Sequence, residues 1–281
     1  MFRTLISPET LNANLAVPGW RVVDCRFDLQ RPDAGKSAWC EAHIPGAVYA
    51  HLERDLSGAI TPHAGRHPLP DPDRLAERLG EWGIGADTQV VAYDASGGAM
   101  AARLWWLLRW LGHERVAVLD GGWQAWRARG YATEDQAPVV SRVDFPRRAP
   151  LTVPVDAGSV LANMNGAADW RLVDARGAER FRGDIEPIDP VAGHIPGAAN
   201  RPYTGNLDAN GKFLAPEMLR ERFQLFALDA ADHVVHYCGS GVTACHNALA
   251  MEHAGLPGSC LYAGSWSEWI RDPSRPVERG G

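Results

Sequence analysis

The stretch that decides the fold reads His-Val-Val-His-Tyr-Cys-Gly-Ser-Gly-Val-Thr and spans residues 233–243. Its first five residues form an apolar run typical of a buried strand, and a helical pattern extends from Ala244 to Ala254. Cys238 therefore lies at a strand end, before a glycine-rich turn and a helix N-terminus. Backbone N–H groups and a helix dipole in such a turn favour the thiolate, which is the nucleophilic form of cysteine. We predict that Cys238 is reactive; the alternative is a buried structural cysteine.

The same motifs occur twice along the chain, in the same order and at a nearly constant separation. The matched pairs are Arg-Val-Val-Asp-Cys-Arg at 21–26 with Arg-Leu-Val-Asp-Ala-Arg at 171–176, His-Ile-Pro-Gly-Ala at 43–47 and 194–198, Val-Val-Ala-Tyr-Asp at 90–94 with Val-Val-His-Tyr-Cys at 234–238, and Asp-Gly-Gly-Trp at 120–123 with Ala-Gly-Ser-Trp at 263–266. Repeats of solenoid proteins are much shorter. The sequence therefore indicates two copies of one domain, at 1–130 and 154–281, joined by a proline-rich linker at 131–153.

Each copy alternates short apolar runs with helical stretches. In the first copy we predict strands at 90–93 and 116–119 and a helix at 99–111. Such alternation is typical of an α/β fold, here two domains that each have a mostly parallel sheet with helices on both faces. The strand-end residue matched to Cys238 is Asp94, so we expect one active site, in the second copy. His43 and His194 recur in both copies, which favours a structural role.

Composition excludes several classes of function. The chain has 281 residues and a formal net charge of −6, and its basic residues are scattered, which argues against nucleic acid as a partner. It has no apolar run of membrane-spanning length and no recognisable secretory signal. Five cysteines form no Cys-x-x-Cys pair, which favours a reducing compartment, argues against a zinc site and leads us to expect a cytoplasmic protein without metal or cofactor.

Taken together, the paired His-Ile-Pro-Gly-Ala motifs, the Gly-Gly-Trp and Gly-Ser-Trp motifs and the 238–243 loop resemble tandem-domain rhodanese-type sulfurtransferases. The loop is similar to that of the 3-mercaptopyruvate branch, whereas the thiosulfate branch typically carries Arg and Lys there. The resemblance covers residues 6–278. It implies that a sulfane sulfur passes from 3-mercaptopyruvate to a thiol, such as a thioredoxin-like protein, or to cyanide, through a Cys238 persulfide.

The resemblance also implies the remaining site residues. Arg180 matches the family's substrate-binding arginine, while a second arginine of the mercaptopyruvate branch is replaced at Asp189; Arg182 is a candidate substitute. A serine–histidine–acid relay is implied, and its members here are Ser240, His67 and Glu53, with Asp55 as a rival for the acid. The other substrate-binding residues are expected in the loop: Gly239, Gly241, Val242 and Thr243.

Three alternatives remain at this point. Thiosulfate is the close rival as sulfur donor, because the second arginine is missing. A non-enzymatic persulfide carrier is compatible with the same loop. A cysteine phosphatase is disfavoured because residue 244 is Ala, where a Cys-x5-Arg loop carries the arginine that closes over a phosphate.

Overall fold

The computed structural model describes residues 1–225 and 231–281 and divides the chain into two compact units. The first unit comprises residues 1–58, 70–151 and 209–213; the second comprises residues 59–69, 152–208 and 214–281. Two short segments are grouped differently from the predicted domains. Segment 59–69 belongs to the second unit, and segment 209–213 belongs to the first. No helix among the described residues is long and apolar enough to cross a membrane.

The first unit contains five strands and five helices within its described residues. In chain order they are β1 (Leu5–Ile6), α1 (Pro8–Asn14), β2 (Trp20–Asp24), α2 (Ala34–Glu41), β3 (Val48–Tyr49), α3 (Pro72–Glu81), β4 (Gln89–Tyr93), α4 (Ala101–Trp110), β5 (Val116–Leu119) and α5 (Gly122–Ala128). The predicted strands at 90–93 and 116–119 and the predicted helix at 99–111 correspond to β4, β5 and α4.

The second unit repeats this order. Its elements are β6 (Pro154–Val155), α6 (Ala157–Met164), β7 (Arg171–Asp174), α7 (Ala178–Arg182), β8 (Ala199–Asn200), a 3-10 turn (Tyr203–Asn206), α8 (Pro216–Gln224), a second 3-10 turn (Ala231–His233), β9 (Val234–Tyr237), α9 (Ala244–His253), β10 (Cys260–Tyr262) and α10 (Ser265–Trp269).

Both sheets have five parallel strands in the same spatial order. The orders are β1-β5-β4-β2-β3 and β6-β10-β9-β7-β8, and every strand pair within them is parallel. Right-handed crossovers that run in opposite directions along a sheet put helices on its two faces. The predicted fold class is therefore confirmed, with sheets that are wholly rather than mostly parallel. Strands β4 and β9 are buried along their whole length, as expected of central parallel strands.

Local sequence explains where several helices begin. Ser7 and Asp156 accept hydrogen bonds from the N–H groups three residues on, at 3.2 and 2.7 Å, and thereby cap α1 and α6. Proline occupies the first helical position of α1, α3 and α8, where its missing N–H costs nothing.

A buried ion pair recurs at the end of the second strand of each sheet. In the first unit the carboxylate of Asp24 accepts hydrogen bonds from the backbone and side chain of Arg26 and from the hydroxyl of Tyr93. In the second unit Asp174 accepts the equivalent bonds from Arg176. Burial raises the pKa of Asp24, and the hydrogen bonds and charge of Arg26 offset part of this rise. In both units the hydrogen bonds satisfy a buried carboxyl group that water cannot reach. Asp24 and Asp174 thus hold the loops that follow their strands by hydrogen bonds.

Each of the repeated histidines binds a segment that lies C-terminal to the last helix of its unit. His43 exchanges backbone hydrogen bonds with Glu134, and His194 does the same with Glu278, each pair as an isolated antiparallel bridge. The histidine rings bond through Nδ1 to the carbonyl oxygens of Trp39 and Phe181. These contacts are internal to each unit and agree with the structural role predicted for both residues.

The segment predicted as a linker has no helix or strand between residues 131 and 153 apart from the bridge at Glu134. It packs on the first unit as far as Leu151. The N–H groups of Val143, Arg148 and Leu151 donate there to the carbonyl oxygens of Gly80, Leu111 and Arg109.

Candidate active site

Cys238 follows β9, which lies between β10 and β7 in the second sheet. The residue is buried, with 2% of its surface exposed. Its N–H donates to Ser265 Oγ at 3.0 Å, and its carbonyl oxygen accepts the N–H of Trp266 at 3.0 Å. The next carbonyl, of Gly239, accepts the N–H of Ser267 at 2.9 Å. The first turn of α10 thus fixes the backbone on both sides of the Cys238 side chain.

Ser265 has a strained backbone beside this cysteine. Its φ is +55°, which no other non-glycine residue among those described shares in sign. The matching residue in the first unit is Gly122, with φ +56°. A side chain in this left-handed region costs on the order of 1–2 kcal/mol. Here the side chain has a use, because its hydroxyl accepts the Cys238 N–H and donates to the carbonyl of Tyr262 at 2.9 Å.

The first unit shows what a loop of this kind holds. Asp94 occupies the position of Cys238, and its carboxylate accepts four backbone hydrogen bonds. The donors are the N–H groups of Ser96, Gly98, Met100 and Ala101, at 2.7 to 2.9 Å. The strand–loop–helix sequence therefore surrounds a strand-end anion with amides. In the second unit the anion at that position would be a thiolate or a persulfide.

Gly241 is required by the shape of the Cys238 loop. Its φ is +75°, and a Cβ added there would lie 2.2 Å from the carbonyl oxygen of Ala263. No side chain fits at that distance. The sequence places a glycine here because the loop backbone touches the turn that follows β10.

The structure brings two predicted relay residues together. His67 Nδ1 lies 2.8 Å from Ser240 Oγ, and both residues are buried. The third predicted member, Glu53, lies in the first unit and is exposed, and its part in the relay stays a prediction. Its rival Asp55 accepts the backbone N–H of His51 at 2.8 Å and pairs with Arg78 at 3.1 Å.

Two guanidinium groups flank Gly239, the residue after the cysteine. A Cβ placed on Gly239 would lie 2.9 Å from Arg66 Nη2 and 3.7 Å from both terminal nitrogens of Arg180. Arg180 is held by Glu186 Oε1 at 2.7 Å and by Asp189 Oδ2 at 3.1 Å. Asp189 Oδ1 pairs with Arg66 Nη1. We refer to Arg66, Arg180, Glu186 and Asp189 as the arginine–carboxylate cluster.

Arg182 does not join this cluster. Its guanidinium pairs with Asp184, with the two side chains 38% and 53% exposed. It is two residues from Arg180 on α7, and a helix turns such neighbours away from each other. The idea that Arg182 replaces the missing second arginine is therefore not favoured by the geometry.

Burial and the neighbouring arginines have opposite effects on the pKa values of Glu186 and Asp189. Burial acts to raise the pKa of Glu186, but hydrogen bonds and charge from Arg180, together with backbone N–H groups, outweigh it and leave the pKa lowered. Burial raises the pKa of Asp189, the charge of Arg66 offsets part of this rise, and Glu186 adds to it. On the strand before the loop, complete burial lowers the pKa of His236 to about 3, so that this ring is neutral.

Sequence reasoning missed three features of this site. They are the presence of Arg66, the presence of Ser265, and the role of Asp189 as a binding partner of arginines rather than as a position where an arginine is absent. Arg66 immediately precedes His67, so its proximity follows once His67 is placed. The alignment of Ser265 with Gly122 could have indicated Ser265. A serine in place of a glycine with positive φ indicates a side chain whose interactions offset the backbone strain.

The fold and the site define a tandem-domain protein with one strand-end thiol in its second copy. Two stretches, residues 7–129 and 157–272, match the family described as Rhodanese-like domain. The chain belongs to this family.

Within this family, the chain is similar to proteins that are named as sulfurtransferases. The chain is 50% identical over 279 residues to the Pseudomonas aeruginosa protein named "Probable 3-mercaptopyruvate sulfurtransferase", covering 98% of each chain. It is 33% identical to the thiosulfate sulfurtransferase of Cricetulus griseus, covering 100% of this chain and 97% of the relative. The solved structure of 3-mercaptopyruvate sulfurtransferase from Leishmania major superposes with a TM-score of 0.84 at 31% identity, covering 96% of this chain and 76% of that one.

We predict that Gly241→Ala destabilises the second unit by about 2–4 kcal/mol, from the left-handed backbone and the clash with Ala263 together. Gly197→Ala is the matched control, because Gly197 has the same φ of +75° with no atom within 4 Å of its added Cβ. It should cost about 1 kcal/mol. Thermal unfolding of the two variants measures the difference, and equal losses would contradict the close approach at Gly241.

Proposed function

We propose that this chain is a sulfurtransferase that moves a sulfane sulfur from 3-mercaptopyruvate to a thiol or to cyanide through a persulfide on Cys238. The observation that carries the proposal is the strand-end thiol in a loop whose counterpart surrounds the Asp94 carboxylate with four amides. Similarity to named sulfurtransferases along almost the whole chain supports it.

In the first step the Cys238 thiolate attacks the sulfur of the donor. The carbon–sulfur bond breaks, its electron pair passes to the carbon, and the adjacent keto group stabilises the resulting pyruvate enolate. A proton then converts the enolate to pyruvate. We assign the delivery or relay of this proton to the Ser240 hydroxyl, and its contact with His67 supports this assignment.

In the second step an acceptor attacks the outer sulfur of the persulfide. Cyanide takes the sulfur as thiocyanate, and a thiol takes it as a new persulfide. The electron pair of the sulfur–sulfur bond returns to Cys238, which leaves as thiolate. This two-step course predicts ping-pong kinetics. A thioredoxin-like protein is a suitable thiol acceptor, and the five free cysteines suit a reducing compartment such as the cytoplasm.

The electrostatics favour a singly charged donor. The arginine–carboxylate cluster has two arginines and two carboxylates, and the loop of residues 239–243 adds hydroxyl and amide groups but no fixed cation. Mercaptopyruvate brings one carboxylate to this cluster. Thiosulfate is a dianion and would find less compensating charge beside the sulfur.

We predict that Cys238→Ser lowers sulfur transfer to cyanide by at least about a thousandfold, because the nucleophile is lost. Cys40→Ser and Cys245→Ser are matched controls: Cys40 is exposed, and the Cys245 thiol bonds to the Gly241 carbonyl at 3.3 Å, as a hydroxyl can also do. Steady-state thiocyanate formation measures all three. Substantial activity in Cys238→Ser would exclude the mechanism.

We predict that Ser240→Ala lowers kcat for mercaptopyruvate by about a hundredfold, because the enolate then lacks its proton donor. The same variant should retain most of its activity toward thiosulfate, whose sulfite leaving group needs no proton on carbon. The ratio of the two rates is the readout. Equal losses with both donors would show that Ser240 supports the loop rather than the proton transfer.

We predict that Arg180→Ala lowers kcat/KM for mercaptopyruvate by about 30- to 150-fold, as expected for the loss of a charged hydrogen bond to a carboxylate worth about 2–3 kcal/mol. Arg182→Ala tests the rival residue on the same helix. If Arg180→Ala behaves like the wild type while Arg182→Ala is impaired, the substrate anion binds to Arg182 instead.

A further inference from the structure

The site contains a second arginine, Arg66, which lies far from Arg180 in the sequence. The resemblance had led us to expect the second arginine shortly after Arg180. The segment in which the resemblance leads one to expect a second arginine reads Glu186-Pro187-Ile188-Asp189-Pro190 and contains none. The side chain that Asp189 binds is Arg66, from the segment 59–69 of the second unit. The cluster therefore keeps two guanidinium groups despite this absence.

The backbone around Arg66 is fixed against the turn that begins α10. The Arg66 N–H donates to Ser267 Oγ at 3.0 Å. Gly65 lies so close that an added Cβ would be 2.6 Å from the Gly264 carbonyl oxygen. The following residue, His67, contacts Ser240. Gly65 and the Arg66 backbone thus pack against this turn, while the Arg66 guanidinium lies beside Gly239 and the His67 ring contacts Ser240.

Asp189 holds the two guanidinium groups side by side. One of its oxygens pairs with Arg66 Nη1 and the other accepts from Arg180 Nη2 at 3.1 Å. Its own N–H donates to Glu186 Oε1 at 3.1 Å, which fixes the turn after α7. With only 3% of the Asp189 side chain exposed, water does not compete for these bonds.

Each arginine leaves nitrogen atoms without a partner among the described residues, next to Gly239. Arg66 Nε is buried and makes no hydrogen bond, and the ion pair with Asp189 uses Arg66 Nη1, so that Nη2 is not engaged by that carboxylate. On Arg180 the bonds to Glu186 and Asp189 use Nε and Nη2, so that Nη1 is unpaired. Arg66 Nη2 and Arg180 Nη1 lie 2.9 and 3.7 Å from the same point, an added Cβ on Gly239. Arg66 Nε is a buried donor without an acceptor, which is costly, and the two terminal nitrogens beside Gly239 are donors that a carboxylate can accept from.

We propose that the carboxylate of the sulfur donor is held between Arg66 Nη2 and Arg180 Nη1, and that Asp189 is the positioning residue that aligns the two. The inference rests on the proposed function and adds which side chains of this chain bind the carboxylate of the donor. Asp189 makes no contact with the donor; it acts through Arg66 and Arg180.

The first experiment compares donor use in Arg66→Ala and Arg66→Lys, with cyanide as acceptor. Loss of a charged hydrogen bond should lower kcat/KM for mercaptopyruvate by about 10- to 150-fold in Arg66→Ala, mainly through a higher KM. Arg66→Lys keeps the charge and should recover part of the loss. Arg220→Gln is the control, because Arg220 is exposed and bonds only to the carbonyl of Gly255. Wild-type kinetics in Arg66→Ala would overturn the proposal.

A second measurement separates substrate binding from a structural role. Cys238 is loaded with sulfur by inorganic polysulfide, which has no carboxylate, and the rate of its discharge by cyanide is followed. Arg66→Ala should discharge at the wild-type rate. A loss as large as that seen with mercaptopyruvate would mean that Arg66 supports the loop, and would overturn the proposal. Failure of the proposed function looks different, because the wild-type protein would then take no sulfur from mercaptopyruvate.

The role of Asp189 is tested by coupling. Asp189→Asn is nearly isosteric and should raise KM for mercaptopyruvate in the same direction as Arg66→Ala. The double variant should lose less than the product of the two single fold-losses, since part of the effect of Asp189 passes through Arg66. Arg66→Ala combined with Asp189→Arg returns a guanidinium from position 189 and should recover activity relative to Arg66→Ala. Additive losses without any such recovery would contradict the positioning role.

Discussion

The site depends on one constraint, the packing of the strand-end loop after β9 against the turn that follows β10. The carbonyls of Cys238 and Gly239 are bound by the first amides of α10, and Gly241 touches the backbone of Ala263 with no room for a side chain. The first unit has the same contact, where the Asp94 carbonyl accepts the N–H of Trp123 at 2.8 Å. With its backbone held from outside, the loop can turn its remaining amides toward the strand-end side chain. An anion at that position is stabilised by a scaffold that needs no rearrangement when it forms.

The two copies show how duplication separates scaffold from chemistry. Both retain the sheet order, the buried aspartate–arginine pair and the histidine bridge, which are the features that hold each unit together. They differ at the strand end, where the first copy has the carboxyl group of Asp94 and the second has the thiol of Cys238, our proposed nucleophile. A carboxylate that already satisfies four amides leaves them nothing to offer a substrate. This explains why one copy is expected to be silent and the other catalytic.

Much of the fold was predictable from the sequence, because its strands, helices and repeated units follow from local patterns. The central strands, the helix after Cys238 and the repeat itself follow from apolar periodicity and matched motifs. The arginine–carboxylate cluster was not predictable, since Arg66 and Asp189 are far apart in sequence and no local pattern joins them. In the sequence the absence of an expected arginine near Asp189 appeared as a loss, whereas the ion pair with Arg66 gives the cluster a second guanidinium group. Arg182 was the natural substitute by position, yet its helical direction takes it to Asp184. Segment 59–69 joins the second unit through contacts that are likewise distant in sequence.

The central claim is that Cys238 carries the sulfur between the two half-reactions. It is tested most directly by adding one equivalent of 3-mercaptopyruvate without an acceptor, quenching rapidly, and locating the added mass by peptide mass spectrometry. The account predicts one sulfur atom on the peptide that contains Cys238, together with one equivalent of released pyruvate. Pyruvate release without sulfur on the protein, or sulfur on Cys25, Cys40, Cys245 or Cys260 instead, would contradict it.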